Sequence, residues 1–276
     1  MAFELTLGDE RLVVSPIGAG LESWSLDGRE LLADGDFGGK VLAPWPGRLR
    51  DGRYRFDGAE HRTPMNEPER RNALHGLTTE RRWREIRSYS RHLALACDLP
   101  PEDGYPFALA LEVEYELTAG AVAVTLRATN AGSEPAPFGA GLHPYLKGDV
   151  LELPARVVLP LDDRLLPAGD PQPVAGTELD FQSARAIAAQ RIDRCFGELD
   201  RDADGIARVT LSGDAGRVEV WMDASFAFVQ IYTNDAGVAI EPFTCAPDAF
   251  NSGDGLLVLA PGDSFTGHCG LSATSF

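Results

Sequence analysis

The chain has 276 residues, 44% hydrophobic and 24% charged, with 42 acidic against 25 basic side chains and a formal net charge of −17. That is globular material long enough to bury a substantial core. Its acidity argues against nucleic acid or an anionic membrane surface as a partner, since both need a basic footprint, and no run approaches the roughly 18 uninterrupted apolar residues of a membrane span.

The N-terminal Met1-Ala2-Phe3-Glu4 lacks the basic-then-apolar pattern of a secretory signal. Cys97, Cys195, Cys245 and Cys269 show neither C-x-x-C pairing nor metal-finger spacing, so reduced thiols in a cytoplasmic protein are expected. Gly18-Ala19-Gly20 has no third glycine and no βαβ context, which excludes a dinucleotide fingerprint, and no phosphate loop or G-x-S-x-G elbow is present. Pro44-Trp45-Pro46-Gly47-Arg48 then sets one Arg among residues that fix the backbone in turns. Over residues 48–91, 12 Arg stand against 7 Asp or Glu, a net positive stretch in an acidic chain. The plain reading is solvated arginines paired with nearby acids. The other is a group of guanidiniums around an anion, because guanidinium matches phosphate or sulfonate geometry. Within this stretch, Asn72-Ala73-Leu74-His75-Gly76 places a His beside Gly.

Alternation with a period of two dominates the middle of the chain. Odd positions over residues 107–117 read Phe, Leu, Leu, Val, Tyr, Leu, against Glu112, Glu114 and Glu116, which predicts an antiparallel strand with one wet face. Thr118-Ala119-Gly120 reads as a tight turn, and Val122, Val124 and Leu126 continue the pattern into a hairpin. Gly141-Leu142-His143-Pro144-Tyr145 reads as a strand end opening onto a cleft, with Pro144 biasing His143 towards extended backbone. Residues 183–194 look helical, with Ser183 as N-cap, and Asp193 then sits as a helix-end acid. Residues 217–223 alternate again. Residues 226–232, apolar on both faces, are expected deep in the core. Residues 237–240 form an apolar run that ends on Glu241-Pro242-Phe243-Thr244 and leads to Asn251.

Turn signals are dense: Asp27-Gly28, Asp34-Gly35, Asp51-Gly52, Asp103-Gly104, Asp204-Gly205 and Asp254-Gly255. Short strands at such spacing, with no linker or repeat, predict one all-β domain over residues 1–276, a large antiparallel β-sandwich with few short helices.

One Arg, two His and one Glu in Gly/Pro-framed segments would make an acid/base site for a hydroxyl-rich substrate if the fold brings them together. A carboxylate ending a buried strand is costly unless paired, so Glu241 points to chemistry or to a structural ion pair. His75, His143 and Glu241 also admit a metal reading, although none has a partner at H-x-H or H-x-x-x-H spacing.

In this order, on an all-β chain of this length, residues 44–48, Asn72 to Gly76, His143-Pro144-Tyr145, Asp193 with Phe196, and Glu241 through Asn251 resemble the aldose 1-epimerase (galactose mutarotase-like) family. The family usually has Asn-Arg where this chain has Gly47-Arg48. The resemblance implies a galactose mutarotase-like supersandwich that interconverts the α and β anomers of a free hexose without cofactor; no metal is expected, since the proton transfers use only side chains, and the chain is expected to be a monomer or homodimer. It implies Glu241 as base on the C1 hydroxyl and His143 as acid on the ring oxygen, with Arg48, His75 and Asp193 orienting the sugar. A charged His143 is expected beside the carboxylate. The rivals are a hexose-6-phosphate or sulfonated-sugar epimerase, supported only by the Arg-rich stretch, a non-catalytic sugar-binding sandwich, and a two-carboxylate glycosidase using Glu241 and Asp193.

Overall fold

The computed structural model describes residues 1–214 and 216–274. The period-two pattern becomes the strand Leu109–Thr118, whose odd positions are buried while Glu112 and Glu116 face solvent. Ala119-Gly120 turns it into Ala121–Asn130, with Thr118 opposite Ala121, so the expected hairpin is present. It lies inside a nine-stranded sheet ordered Arg84–Tyr89, His92–Leu99, Leu109–Thr118, Ala121–Asn130, Ser264–Thr274, Gly216–Met222, Ala207–Gly213, Val150–Glu152, Arg185–Ala186.

A second sheet, of eight strands, carries the site. Its order is Gln172–Pro173, Ala155–Val158, Asp193–Leu199, Phe228–Thr233, Val238–Phe243, Gly141–Leu142, Val41–Leu42, and Tyr145–Leu146 also pairs with Val238–Phe243. A smaller four-stranded sheet is built from Phe3–Leu7, Glu10–Val14, Leu21–Leu26 and Arg29–Glu30. Every paired strand is antiparallel to its neighbour among the described residues. Trp24, Leu111, Tyr115, Phe196, Val229, Ile231 and Ile240 share one continuous hydrophobic cluster, the filling of an all-β sandwich. The four cysteines are free and buried, and among the described residues no helix is long and apolar enough to cross a membrane.

Three local expectations fail for physical reasons. Residues 183–194 form no helix. Arg185–Ala186 joins the nine-stranded sheet and Asp193–Leu199 the eight-stranded one, with Ala188 at φ 54° between them. The alanine-rich composition favours helix locally, but Ile187 and Ile192 are buried, and their N–H groups donate to Asp149 O and Thr233 Oγ1. Tertiary packing overrides propensity here. Among the described residues the α-helix is instead Ala249–Ser252, inside the segment running to Asn251. Residues 226–232 are not core on both faces: Val229 and Ile231 point inward, whereas Gln230 and Tyr232 line a cavity. Asp34-Gly35 is not itself the turn. Gly35 packs under the Tyr145 ring, where a Cβ would come within 2.3 Å of Cε2, and the turn follows at residues 36–39. By contrast Asp27-Gly28 (φ 52° and 74°) and Asp51-Gly52 (φ 53° and 59°) adopt the left-handed turn geometry their residues predict.

Gly76, directly after His75, has φ +73°, and a Cβ there would lie 2.1 Å from Ala43 O. Gly76→Ala combines a left-handed backbone penalty with a clash against main chain, so a loss of about 2–4 kcal/mol is expected. Urea denaturation of the variant checks this, and an unchanged midpoint would contradict it.

Candidate active site

The register of the eight-stranded sheet explains how distant motifs meet. Gly141 pairs with Phe243 and Tyr145 with Ala239. Counting inward from both pairs sets His143 opposite Glu241. Pro144 and Pro242 have no N–H to give, so the ladder opens at this point. The main chain of His143 is satisfied elsewhere: its N–H donates to Lys40 O, and its carbonyl accepts from Gly39 N–H. On the other side Gln230 pairs with Glu241, and Asp193 with Tyr232. Because directly paired residues share a face, Asp193, Gln230, Tyr232, Glu241, His143 and Tyr145 form one patch.

A second framework closes over this floor. The two-stranded ribbon Arg48–Arg50 with Asn72–Leu74 carries Arg48, and His75 follows directly. Gly47 and His75 are tied twice: His75 N–H donates to Gly47 O, and Gly47 N–H donates to His75 Nδ1 at 3.2 Å. The segment beyond Glu241 braces this ribbon. Asp248 N–H donates to Arg48 O, Arg50 N–H donates to Asp248 Oδ1, and Asn251 Nδ2 donates to Asp248 Oδ1 and Arg53 O. Gly47 sits at φ +67°, a left-handed conformation that Gly adopts freely and Asn also tolerates, and it leads directly into Arg48.

Between floor and ribbon lies a cavity of about 330 Å³. All five residues singled out in the sequence line it: Arg48, His75, His143, Asp193 and Glu241. His143 Nε2 lies 3.4 Å from Glu241 Oε1, with both side chains buried. His143 Nδ1 and Glu241 Oε2 are buried and have no hydrogen-bond partner, which is uncommon for polar atoms. Burial pushes the Glu241 carboxyl well above the usual carboxylate range, and the charge of Asp193 adds to this against Arg48. Burial also brings the His143 imidazole down to about 3. The expectation of a charged His143 is therefore corrected: desolvation dominates at both groups, and each partner is pushed towards its neutral form.

His75 is likewise held well below the usual imidazole range by burial, then by His143 and Arg48. Its Nδ1 accepts from Gly47, so the neutral ring carries its hydrogen on Nε2 and is a donor there. His75, His143 and Glu241 each offer one ligand atom within 4.8 Å of the others, a donor set that matches some catalytic zinc sites. A metal on either His75 nitrogen would break the bond from Gly47 or force two N–H groups together. The set suits hydrogen bonding better than ligation.

Arg48 is clamped between two carboxylates. Its Nε donates to both oxygens of Glu67 (3.1 and 3.0 Å) and its Nη2 to Glu67 Oε1 (3.1 Å) and Asp193 Oδ2 (3.2 Å). Burial alone would lower its pKa, but Asp193 and Glu67 together raise it. Asp193 also accepts from Gln230 Nε2 at 2.6 Å. Sequence reasoning missed Glu67, Gln230, Tyr145 and Phe37, all of which line the cavity. Phe37, at φ 60°, packs its ring against His75 and His143 with centroids 4.8 and 6.0 Å apart.

A family model described as aldose 1-epimerase matches residues 1–272. The chain belongs to the aldose 1-epimerase family. It is 34% identical to the Escherichia coli K12 protein YihR, over 94% of this chain and 88% of that one. Similarity extends to the aldose 1-epimerase of the same organism, at 28% over 71% of this chain and 60% of that one. Human galactose mutarotase is 29% identical, over 72% of this chain and 60% of its own. The crystal structure of a putative aldose 1-epimerase from E. coli K12 superimposes with a TM-score of 0.86 at 24% identity, covering 100% of this chain and 99% of that one. The fold is thus the galactose mutarotase-like sandwich that the motifs implied.

Proposed function

We propose that this protein is an aldose 1-epimerase that interconverts the α and β anomers of a free neutral hexose, as one catalytic domain without metal. The observation that carries this reading is the facing pair Glu241 and His143, each with an unpartnered polar atom, in a cavity of about 330 Å³. Mutarotation removes the proton of the anomeric hydroxyl and protonates the ring oxygen. Glu241 serves as base on the C1 hydroxyl and His143 as acid on the ring oxygen. Before a sugar reaches them, burial favours neutral imidazole and neutral carboxyl, so the pair carries one transferable proton. Hydrogen bonds from sugar hydroxyls favour the carboxylate, which moves that proton to His143 and sets the base against the acid. Ring opening then gives the aldehyde, rotation about C1–C2 presents its other face, and the two groups exchange roles to close the ring. His75 Nε2–H, Arg48 and Asp193 orient hydroxyls around this pair.

Two rivals have less support. In a glycosidase Asp193 would have to work on a glycosidic bond, yet both its oxygens accept hydrogen bonds from Gln230 and Arg48. For an anionic sugar the arginines of residues 48–91 would have to converge, yet only Arg48 and Arg70 line the cavity, against Asp36, Glu67, Glu69, Asp193 and Glu241. Arg50, Arg71, Arg81, Arg84 and Arg87 pair with acids away from it.

Polarimetry of freshly dissolved α-glucose and α-galactose with EDTA-treated protein tests the reading. Optical rotation should relax faster than the spontaneous rate, and equally fast with untreated protein. Loss of activity on chelation, restored by a divalent ion, would promote the metal reading of His75, His143 and Glu241.

A further inference from the structure

We propose that Glu67 determines specificity in this cavity: by neutralising and holding Arg48, it makes that guanidinium a hydroxyl donor and excludes anionic sugars. This rests on reading the cavity as a sugar site. Glu67 is buried, and a carboxylate so placed is expensive unless its partners are good. Its partners are extensive. Arg48 contacts both oxygens, Asn72 Nδ2 donates at 2.8 Å and Arg70 Nη1 at 3.2 Å. Asn72 and Glu67 also exchange both main-chain hydrogen bonds at 3.1 Å, which fixes the carboxylate beside the ribbon. The hydrogen bonds from Arg48 and Asn72 outweigh burial and hold the Glu67 pKa below the usual carboxylate range.

The consequence is electrostatic. Arg48 faces Glu67 on one edge and Asp193 on the other, so its cluster carries a net negative charge. The other cavity-lining guanidinium, Arg70, is bridged to Glu67 and Glu69. A phosphate or sulfonate entering here therefore meets no uncompensated guanidinium, whereas a sugar hydroxyl can accept from the part of Arg48 left over. Removing the charge of Glu67 would bring this group from net negative to neutral, with Arg48 and Arg70 against Asp193 and Glu69, and would free for an anion the guanidinium donors that Glu67 now occupies.

The test compares glucose and glucose 6-phosphate with wild type, Glu67→Gln and the double variant Glu67→Gln/Arg70→Gln, by polarimetry and by calorimetric binding. Glu67→Gln should shift the glucose to glucose 6-phosphate ratio at least about tenfold towards the phosphosugar at low salt, as a unit charge at short range can. The double variant restores the net charge and should return the ratio towards wild type. Equal loss for both sugars in Glu67→Gln would make Glu67 merely structural and overturn the proposal. Should that variant not fold, wild type itself decides. Exclusion by charge predicts that glucose 6-phosphate binds more tightly as ionic strength rises, and weaker binding with salt would overturn it. Binding ratios that shift as stated in a protein with no polarimetric activity would uphold Glu67 and sink the epimerase reading alone.

Discussion

Glu241→Gln and His143→Asn each lower kcat for anomer interconversion by roughly 10²–10⁴, the usual contribution of a positioned acid or base. The amide of Gln cannot take a proton from the C1 hydroxyl, and Asn cannot deliver one to the ring oxygen. Both replacements are close in shape and still form hydrogen bonds, so folding and sugar affinity survive. Both residues sit in a fully buried pair only 3.4 Å apart, so their effects are not additive. The double variant should be little slower than the worse single one, because removing either partner already disables the proton exchange. The pH dependence carries the same signature. With His143 brought down to about 3 and Glu241 raised, the proton of the free pair sits on the carboxyl rather than on the imidazole. As pH rises, the free-enzyme kcat/KM should therefore fall with the raised pKa of the carboxyl and show no separate step from His143 near the unperturbed histidine value of about 6.5. Wild-type turnover by Glu241→Gln would show that the proposed proton transfers are wrong.

Sequence reasoning reached the residues of the site before it could reach their geometry, and the reason is the length scale of each signal. His143 and Glu241 were legible because each breaks a local rule: a His before Pro at a strand end, and a carboxylate closing an apolar run. That they face each other depends on the register Gly141 with Phe243 and Tyr145 with Ala239, a pairing across about a hundred residues that no local pattern encodes. Gln230 had a usable signal, as the one polar side chain in Phe228-Val229-Gln230-Ile231, where an unpartnered amide would be costly. Reading that run as core on both faces hid it. Glu67 was hidden among the acids and arginines of a polar stretch. Nothing local distinguishes it from Glu69, and only the clamp on Arg48 does. The failed helix over residues 183–194 is the converse case: local propensity was clear, but the sheets on either side claimed its backbone.

Wild-type protein should favour glucose over glucose 6-phosphate in kcat/KM by roughly ten- to a hundredfold, since each tenfold is about 1.4 kcal/mol and like charges brought together cost up to several. The arginines of residues 48–91 are the one support for the rival anionic sugar, and their locations favour the plain reading of side chains paired with nearby acids. Arg50 is held by Asp162 and Asp248, Arg71 by Asp51, Arg81 by Glu102 and Arg87 by Glu114. These are pairs at or near the surface, of little energetic weight individually, and none of them lines the cavity. What does line it is an excess of carboxylates, with Arg48 and Arg70 already engaged. A phosphate dianion would have to displace those carboxylates or sit unpaired beside them. Measuring kcat/KM for both sugars at low and moderate ionic strength separates the cases. A charge-based preference for glucose narrows as salt screens the repulsion, while turnover of glucose itself stays level. A hundredfold preference for the phosphosugar that salt erodes would mean that arginines converge on the substrate after all, and would transfer the protein to the anionic-sugar class.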